Sequence, residues 1–272
     1  MSIDIDNPLF LLGMPRSGTS WLSQIFESSP DVVVRLSPPY SWDFGGTLDL
    51  LSGPEDWRTT LRGVIDSKDK FLTQNWHRET GELPQFADDK SRATRVAVKD
   101  TRFHPLYEAG MTALPGARTV YIVRNPGAVL WSWRVCKEFP AGADFREEWR
   151  SGACRKIEGP GEYWGFDDWL RLTNFYLQRA AAAPERYLVV RYDELVTRAI
   201  ETAEKMFAFC GLPLQQETVA FLRASQSTFD PRPYSVFKGP NLRDDWRREM
   251  PADIYELIEK ETAAAGLEWV LT

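Results

Sequence analysis

The densest set of groups able to do chemistry lies between Leu9 and Trp21, in the stretch LFLLGMPRSGTSW. Arg16, Ser17, Thr19 and Ser20 place four side-chain donors around Gly18. The apolar run from Leu9 to Leu12 is short enough for a buried strand. Leu22, Ile25 and Phe26 fall at helical spacing, so a helix should begin near Thr19. Between them runs a Gly-rich turn, Gly13 to Gly18. Strand, turn and helix in this order aim backbone N–H groups at one spot, and the helix dipole adds positive potential there. The natural guest is a phosphate; the alternative is a purely structural turn of an α/β fold. Three further polar groups follow expected strands. Arg95 to Lys99 stops at Asp100-Thr101-Arg102, with His104-Pro105 beyond. Thr119 to Val123 stops at Arg124-Asn125-Pro126, and Ser132 lies two turns into the helix that Asn125 should cap. Tyr187 to Val190 stops at Arg191-Tyr192-Asp193-Glu194. Ligands of open α/β sheets bind beyond the carboxyl ends of the strands.

The loop chemistry narrows the choice of phosphate. A nucleoside triphosphate kinase loop, G-x-x-x-x-G-K-[ST], needs a Lys after its second Gly. Gly13, Gly18 and Ser20 fit that frame, but Thr19 fills the Lys position and the cation sits inside the loop as Arg16. The run Pro15-Arg16-Ser17-Gly18-Thr19-Ser20-Trp21 resembles the 5′-phosphosulfate loop of sulfotransferases that use 3′-phosphoadenosine 5′-phosphosulfate (PAPS). The resemblance implies that Arg16, Ser17, Gly18, Thr19 and Ser20 hold the 5′-phosphate and that Trp21 stacks on the adenine. It extends to four other places. Arg124 and Ser132 match the 3′-phosphate pair, although Ala128 stands where the family often has Asp. Tyr192-Asp193-Glu194-Leu195 is similar to the Y-E-D-M turn, whose Tyr meets the adenine. Ser227-Thr228-Phe229 is similar to the T-S-F turn beside the adenine. Lys238-Gly239 followed by Asp245-Trp246 resembles the loop that closes over the 3′-phosphate, with Phe237 in place of its Arg and a longer spacer.

By the same resemblance Arg16 stabilises the leaving oxygen and Lys99 steadies the sulfonate. The acceptor hydroxyl needs a base, and here the pattern departs. Cytosolic relatives place a His in K-T-H-L-P, where this chain has Thr101. The candidates that remain are Asp100 and His104, and more remotely His77 or Glu79. Asp100 has a structural alternative, an ion pair with Arg16 or Arg102.

Strands alternating with helices imply a parallel sheet in one α/β domain. The expected architecture is a P-loop-NTPase-like three-layer sandwich, with residues 37–92 and 137–166 as loops and lids on the acceptor side. Trp42, Trp76, Trp149 and Trp164 in those segments suggest an apolar or planar acceptor, while the acidic balance permits a cationic one and disfavours a polyanionic glycan. The chain has 272 residues, enough for a sizeable core, and a formal net charge of −6. That charge argues against nucleic acid as a main partner. Three dispersed cysteines, Cys136, Cys154 and Cys210, suit a reducing compartment. No signal peptide or membrane-length apolar run is visible. The expectation is a cytoplasmic, metal-independent sulfotransferase moving a sulfuryl group from PAPS to a hydroxyl or amine of a small-molecule acceptor. Its rivals are a P-loop nucleotide kinase and a nucleotide-binding module that lacks activity.

Overall fold

Valine, isoleucine and leucine crowd the strands, as a parallel sheet covered on both faces requires. The computed structural model describes residues 3–86, 90–156, 161–232, 235–237 and 245–271. It contains five strands: β1 (Asp4–Gly13), β2 (Val32–Leu36), β3 (Arg95–Asp100), β4 (Arg118–Val123) and β5 (Tyr187–Arg191). All pair in parallel, in the order β2-β3-β1-β4-β5. β1 starts earlier than its apolar run suggests, because Asp4 pairs with Arg95 across an irregularity before Leu9.

Between and after the strands come α1 (Thr19–Glu27), α2 (Pro54–Asp66), α3 (Lys70–Thr73), α4 (Asn75–Glu79), α5 (His104–Ala113), α6 (Pro126–Arg134) and α7 (Phe145–Glu148). The chain continues through α8 (Ala153–Lys156), α9 (Phe166–Ala182), α10 (Tyr192–Thr197), α11 (Ala199–Cys210), α12 (Gln216–Ser227), α13 (Trp246–Glu249) and α14 (Ala252–Ala264). Alternate strand residues face opposite layers. Phe10, Leu12, Val96, Val98 and Tyr121 join a core with α2, α5, α6, α9 and α14. Leu9, Leu11, Ala97, Val120 and Ile122 join a second core with α1, α11 and α12. The result is the expected three-layer α/β sandwich. The chain runs from β1 to β2 on one side, then crosses from β3 to β4 on the other side of β1. The loop after β1 therefore opens centrally, where the two halves of the sheet part.

The segment 37–92 is more deeply anchored than a set of lids. Trp57 on α2 is fully buried against Phe10 and Tyr107, with ring centroids 5.7 and 6.3 Å away. Trp149 and Trp164 are also buried, and Trp164 stacks on Trp133 at 5.2 Å. These tryptophans are core, so they do not line an acceptor site. Trp42 and Trp76 remain exposed. Replacing a buried large aromatic by Ala costs roughly 3–5 kcal/mol. Trp57→Ala should therefore lower the denaturant midpoint by a stability loss of that order. A loss under ~1 kcal/mol by urea titration would show α2 to be a detachable flap.

Candidate active site

The turn after β1 is shaped by backbone conformation before any side chain acts. Ser17 N–H bonds the Met14 carbonyl at 3.1 Å, and Arg16 takes a left-handed φ of 71°. Gly18 follows at φ 98° and caps α1 without a side-chain hydrogen bond. A Cβ on Gly18 would stand 2.5 Å from the Tyr192 ring, so both the conformation and the contact demand glycine. The first turn of α1 carries no acidic residue, which leaves its dipole unneutralised. The Ser17 hydroxyl is 1% exposed as a residue and has no hydrogen-bond partner among the described residues. A buried hydroxyl left orphaned beside a helix N-terminus is what an anion site without its anion presents.

Asn125 caps α6 as its sequence predicts, accepting from Gly127 N–H at 2.9 Å and Ala128 N–H at 3.4 Å. This fixes Arg124 at the end of β4. Arg124 Nη1 donates to the Arg16 carbonyl at 3.2 Å, and its guanidinium lies 4.5 Å above the Tyr192 ring. Its own carbonyl accepts from Trp169 Nε1 at 3.0 Å. Arg16 Nε donates to Ser132 Oγ at 3.0 Å, so the two groups expected to serve different phosphates are adjacent. Trp21 Nε1 donates to Ser225 Oγ at 3.1 Å, and the Trp21 ring lies edge-on to Tyr192 at 6.2 Å. Ser225 holds Trp21 beside the end of α12, where Thr228 and Phe229 are exposed. Sequence reasoning missed Ser225, since a Ser on a helix has no signature of its own. Lys238 and Gly239 lie outside the described residues. Phe237, in the family's Arg position, packs towards Phe221. Trp246 wedges onto the first turn of α6, where a Cβ on Gly127 would meet it at 2.4 Å.

Lys99, one residue before the end of β3, pairs with Leu11 of β1 and Leu36 of β2. Burial lowers its pKa to about 8; the Arg102 and Arg16 charges push the same way and Asp100 opposes them. Asp100 is not the base that its position suggests. It is 1% exposed and accepts four hydrogen bonds. Ser37 Oγ and Tyr107 OH donate to Oδ2 at 2.7 Å each. Thr101 N–H and Arg102 N–H donate to Oδ1 at 2.7 and 2.9 Å. Every lone-pair direction is in use, so the carboxylate has none to offer a hydroxyl. Nor does Asp100 pair with the Arg102 guanidinium, which bonds Glu162 instead.

His104 is likewise displaced from catalysis. It is buried among Tyr121, Tyr163 and Tyr176, with Nδ1 2.8 Å from Tyr176 OH. Burial takes its pKa down to about 3, too weak for a base near neutrality. His77 contacts Glu82 at 2.5 Å and Glu79 pairs with Lys70 at 2.7 Å, both on the α3–α4 segment.

With the geometry in place, comparison with known proteins is informative. A sequence model described as the sulfotransferase family matches residues 8–216. The chain belongs to the sulfotransferase family. It is 28% identical over 190 residues to mouse carbohydrate sulfotransferase 3, covering 64% of this chain and 38% of that protein. The chain thus spans well under half the length of that curated relative. A mouse sulfotransferase solved with PAP superposes with a TM-score of 0.57 at 17% identity, covering 97% of this chain and 84% of that one. Retinol dehydratase, solved with androsterone and PAP, gives 0.53 at 12% identity, covering 97% and 82%. At these identities the structural likeness speaks to the fold.

Asp100→Asn tests the structural assignment directly. The amide nitrogen would face donors, so at least one buried partner loses its acceptor, at about 1–3 kcal/mol. The melting temperature should fall by several degrees. An unchanged melting temperature would refute the four-donor role.

Proposed function

We propose that the protein transfers a sulfuryl group from PAPS to a small hydroxyl- or amine-bearing acceptor, releasing PAP. The carrying observation is the convergence of Arg16, Arg124, Ser132 and the acid-free N-terminus of α1, in a chain of the sulfotransferase family. A triphosphate chain is disfavoured because Thr19 stands where a kinase loop needs its Lys. The α1 amides with Ser17, Thr19 and Ser20 take the 5′-phosphate. Arg124 and Ser132 take the 3′-phosphate by charge-assisted bonds. Trp21 and Tyr192 supply the aromatic wall for the adenine, with Thr228 and Phe229 beside them.

Arg16 and Lys99 then act on the reacting centre. The acceptor oxygen attacks sulfur in line, a new O–S bond forms, and the bond to the bridging oxygen breaks. Arg16 stabilises the negative charge that this oxygen gains, and Lys99 holds the sulfonate oxygens in place. The sulfonate carries less charge than a terminal phosphate, so no metal is assigned. Three free thiols suit a reducing, cytoplasmic setting. Among the described residues no helix is long and apolar enough to cross a membrane.

A second reading, a nucleotide-binding module without turnover, is favoured by the saturated Asp100 and the buried His104. Turnover of radiolabelled PAPS against an acceptor panel separates the two. For the donor itself, PAP should raise the melting temperature far more than ATP, because a ligand bound only by the folded state stabilises it by mass action. Arg124→Ala should weaken PAP by tenfold or more, as loss of a charged hydrogen bond costs about 1.5–3 kcal/mol. Adenosine 5′-phosphosulfate, lacking the 3′-phosphate, should be much less affected. Equal shifts for ATP and PAP would defeat the donor assignment.

Lys99 adds a pH dependence. In the free protein its pKa is about 8, and a bound phosphosulfate raises it towards the usual lysine range. Donor binding at pH 8 should therefore take up a fraction of a proton, and affinity should fall as pH rises above 8. Titration calorimetry at pH 8 in buffers of different ionisation heat measures this uptake. Heats that do not vary with buffer, or uptake that persists in Lys99→Met, would exclude the assignment.

A further inference from the structure

Arg102 has no part in the donor site, yet it is held more firmly than a surface arginine needs to be. Its backbone N–H is tied to Asp100 Oδ1 at 2.9 Å, directly past the end of β3. Its Nε donates to Glu162 Oε1 at 2.7 Å. Glu162 is itself buried, its side chain 4% exposed, and its other oxygen accepts from Trp164 Nε1 at 2.6 Å. The guanidinium carbon lies over the Tyr40 ring, 4.1 Å from its centroid. The Arg102 side chain is 18% exposed, and Nη1 and Nη2 make no hydrogen bond to any described residue.

Glu162 also lies 3.6 Å from Arg155. Arg102 lies three residues beyond Lys99. Three peptide steps hold the two Cα atoms within about 11 Å of each other, and the Arg102 charge is among those that lower the Lys99 pKa, so the two side chains interact. An oriented guanidinium with two open N–H groups recognises a planar or tetrahedral oxyanion.

We propose that the acceptor carries an anionic group, a carboxylate or an ester sulfate, which Arg102 binds through Nη1 and Nη2 while the acceptor hydroxyl reaches the sulfonate. Glu162 and Tyr40 fix the plane of the fork, so little side-chain freedom is lost on binding. The proposal rests on the sulfotransferase reading, and its test is built to fail separately from it.

Two probe pairs differ only in charge: 4-hydroxyphenylacetate with its methyl ester, and glucuronate with glucose; glucose 6-sulfate is the sulfate arm. The readouts are binding to the PAP-loaded protein by calorimetry and turnover with radiolabelled PAPS. At least one anionic probe should bind tenfold or more tightly than its neutral mate. Arg102→Gln should erase that preference while PAP affinity stays within twofold, and Arg102→Lys should restore part of it. The arm that responds identifies carboxylate or sulfate as the recognised group. Equal binding of charged and neutral probes, or an equal loss for both in Arg102→Gln, overturns the proposal. Loss of PAP binding in the wild-type protein would instead overturn the donor reading and leave its own distinct signature.

Discussion

One buried carboxylate holds the acceptor side of the sheet together. Asp100 receives the hydroxyls of Ser37 after β2 and Tyr107 on α5, and the amides of Thr101 and Arg102. Four donors on two oxygens compensate for the desolvation that burial imposes, although burial still raises its pKa overall. The connection sets three things at once. It fixes where β2 turns, with Ser37 in a left-handed conformation at φ 38°. It locks α5 against the end of β3. It also directs the chain after β3 so that Lys99 and Arg102 end up close enough to feel each other's charge.

Those cations define the crevice. Arg16 and Arg102 both depress the pKa of Lys99, and Arg16 is also felt by the Cys136 thiol at the end of α6. The chain as a whole carries a formal charge of −6, so this concentration of positive charge is local. Like charges gathered in a low-dielectric crevice cost free energy unless an anion joins them. Arg16 meets part of this demand by turning to Ser132, and Arg124 by stacking on Tyr192. Both contacts orient their guanidiniums, and an anionic nucleotide is the ligand proposed to join them.

The turn after β1 and the start of α6 were readable in the sequence because each part there is local. Gly13 to Ser20, the Asn125-Pro126 cap and the strand ends are short motifs whose geometry follows from backbone rules. The acceptor side was not readable in the same way. Asp100 looked like a base because its neighbours in sequence are Lys99 and Thr101. Its role is set by Ser37, 63 residues earlier, and by Tyr107 one helix later. Glu162 lies 60 residues from the Arg102 that it orients. Trp149 and Trp164 read as possible pocket walls because aromatic content alone does not distinguish a lining residue from a core residue. Ser225 could not be linked to Trp21 across 204 residues without the fold. Hydrogen bonds between distant segments carry no periodic signal, so chemistry assigned from neighbours in sequence fails where such bonds decide it.

The acid-poor crevice also bears on how the acceptor loses its proton. A carboxylate beside Arg16, Lys99 and Arg102 feels two opposed effects, their charges pulling its pKa down and burial raising it, and at Asp100 burial prevails. On the proposed reading Arg16 and Lys99 stabilise a developing oxyanion more than the neutral hydroxyl, so a hydroxyl brought beside them becomes more acidic. Saturating Asp100 with hydrogen bonds is compatible with that chemistry, because the carboxylate fixes the chain that carries Lys99 and Arg102.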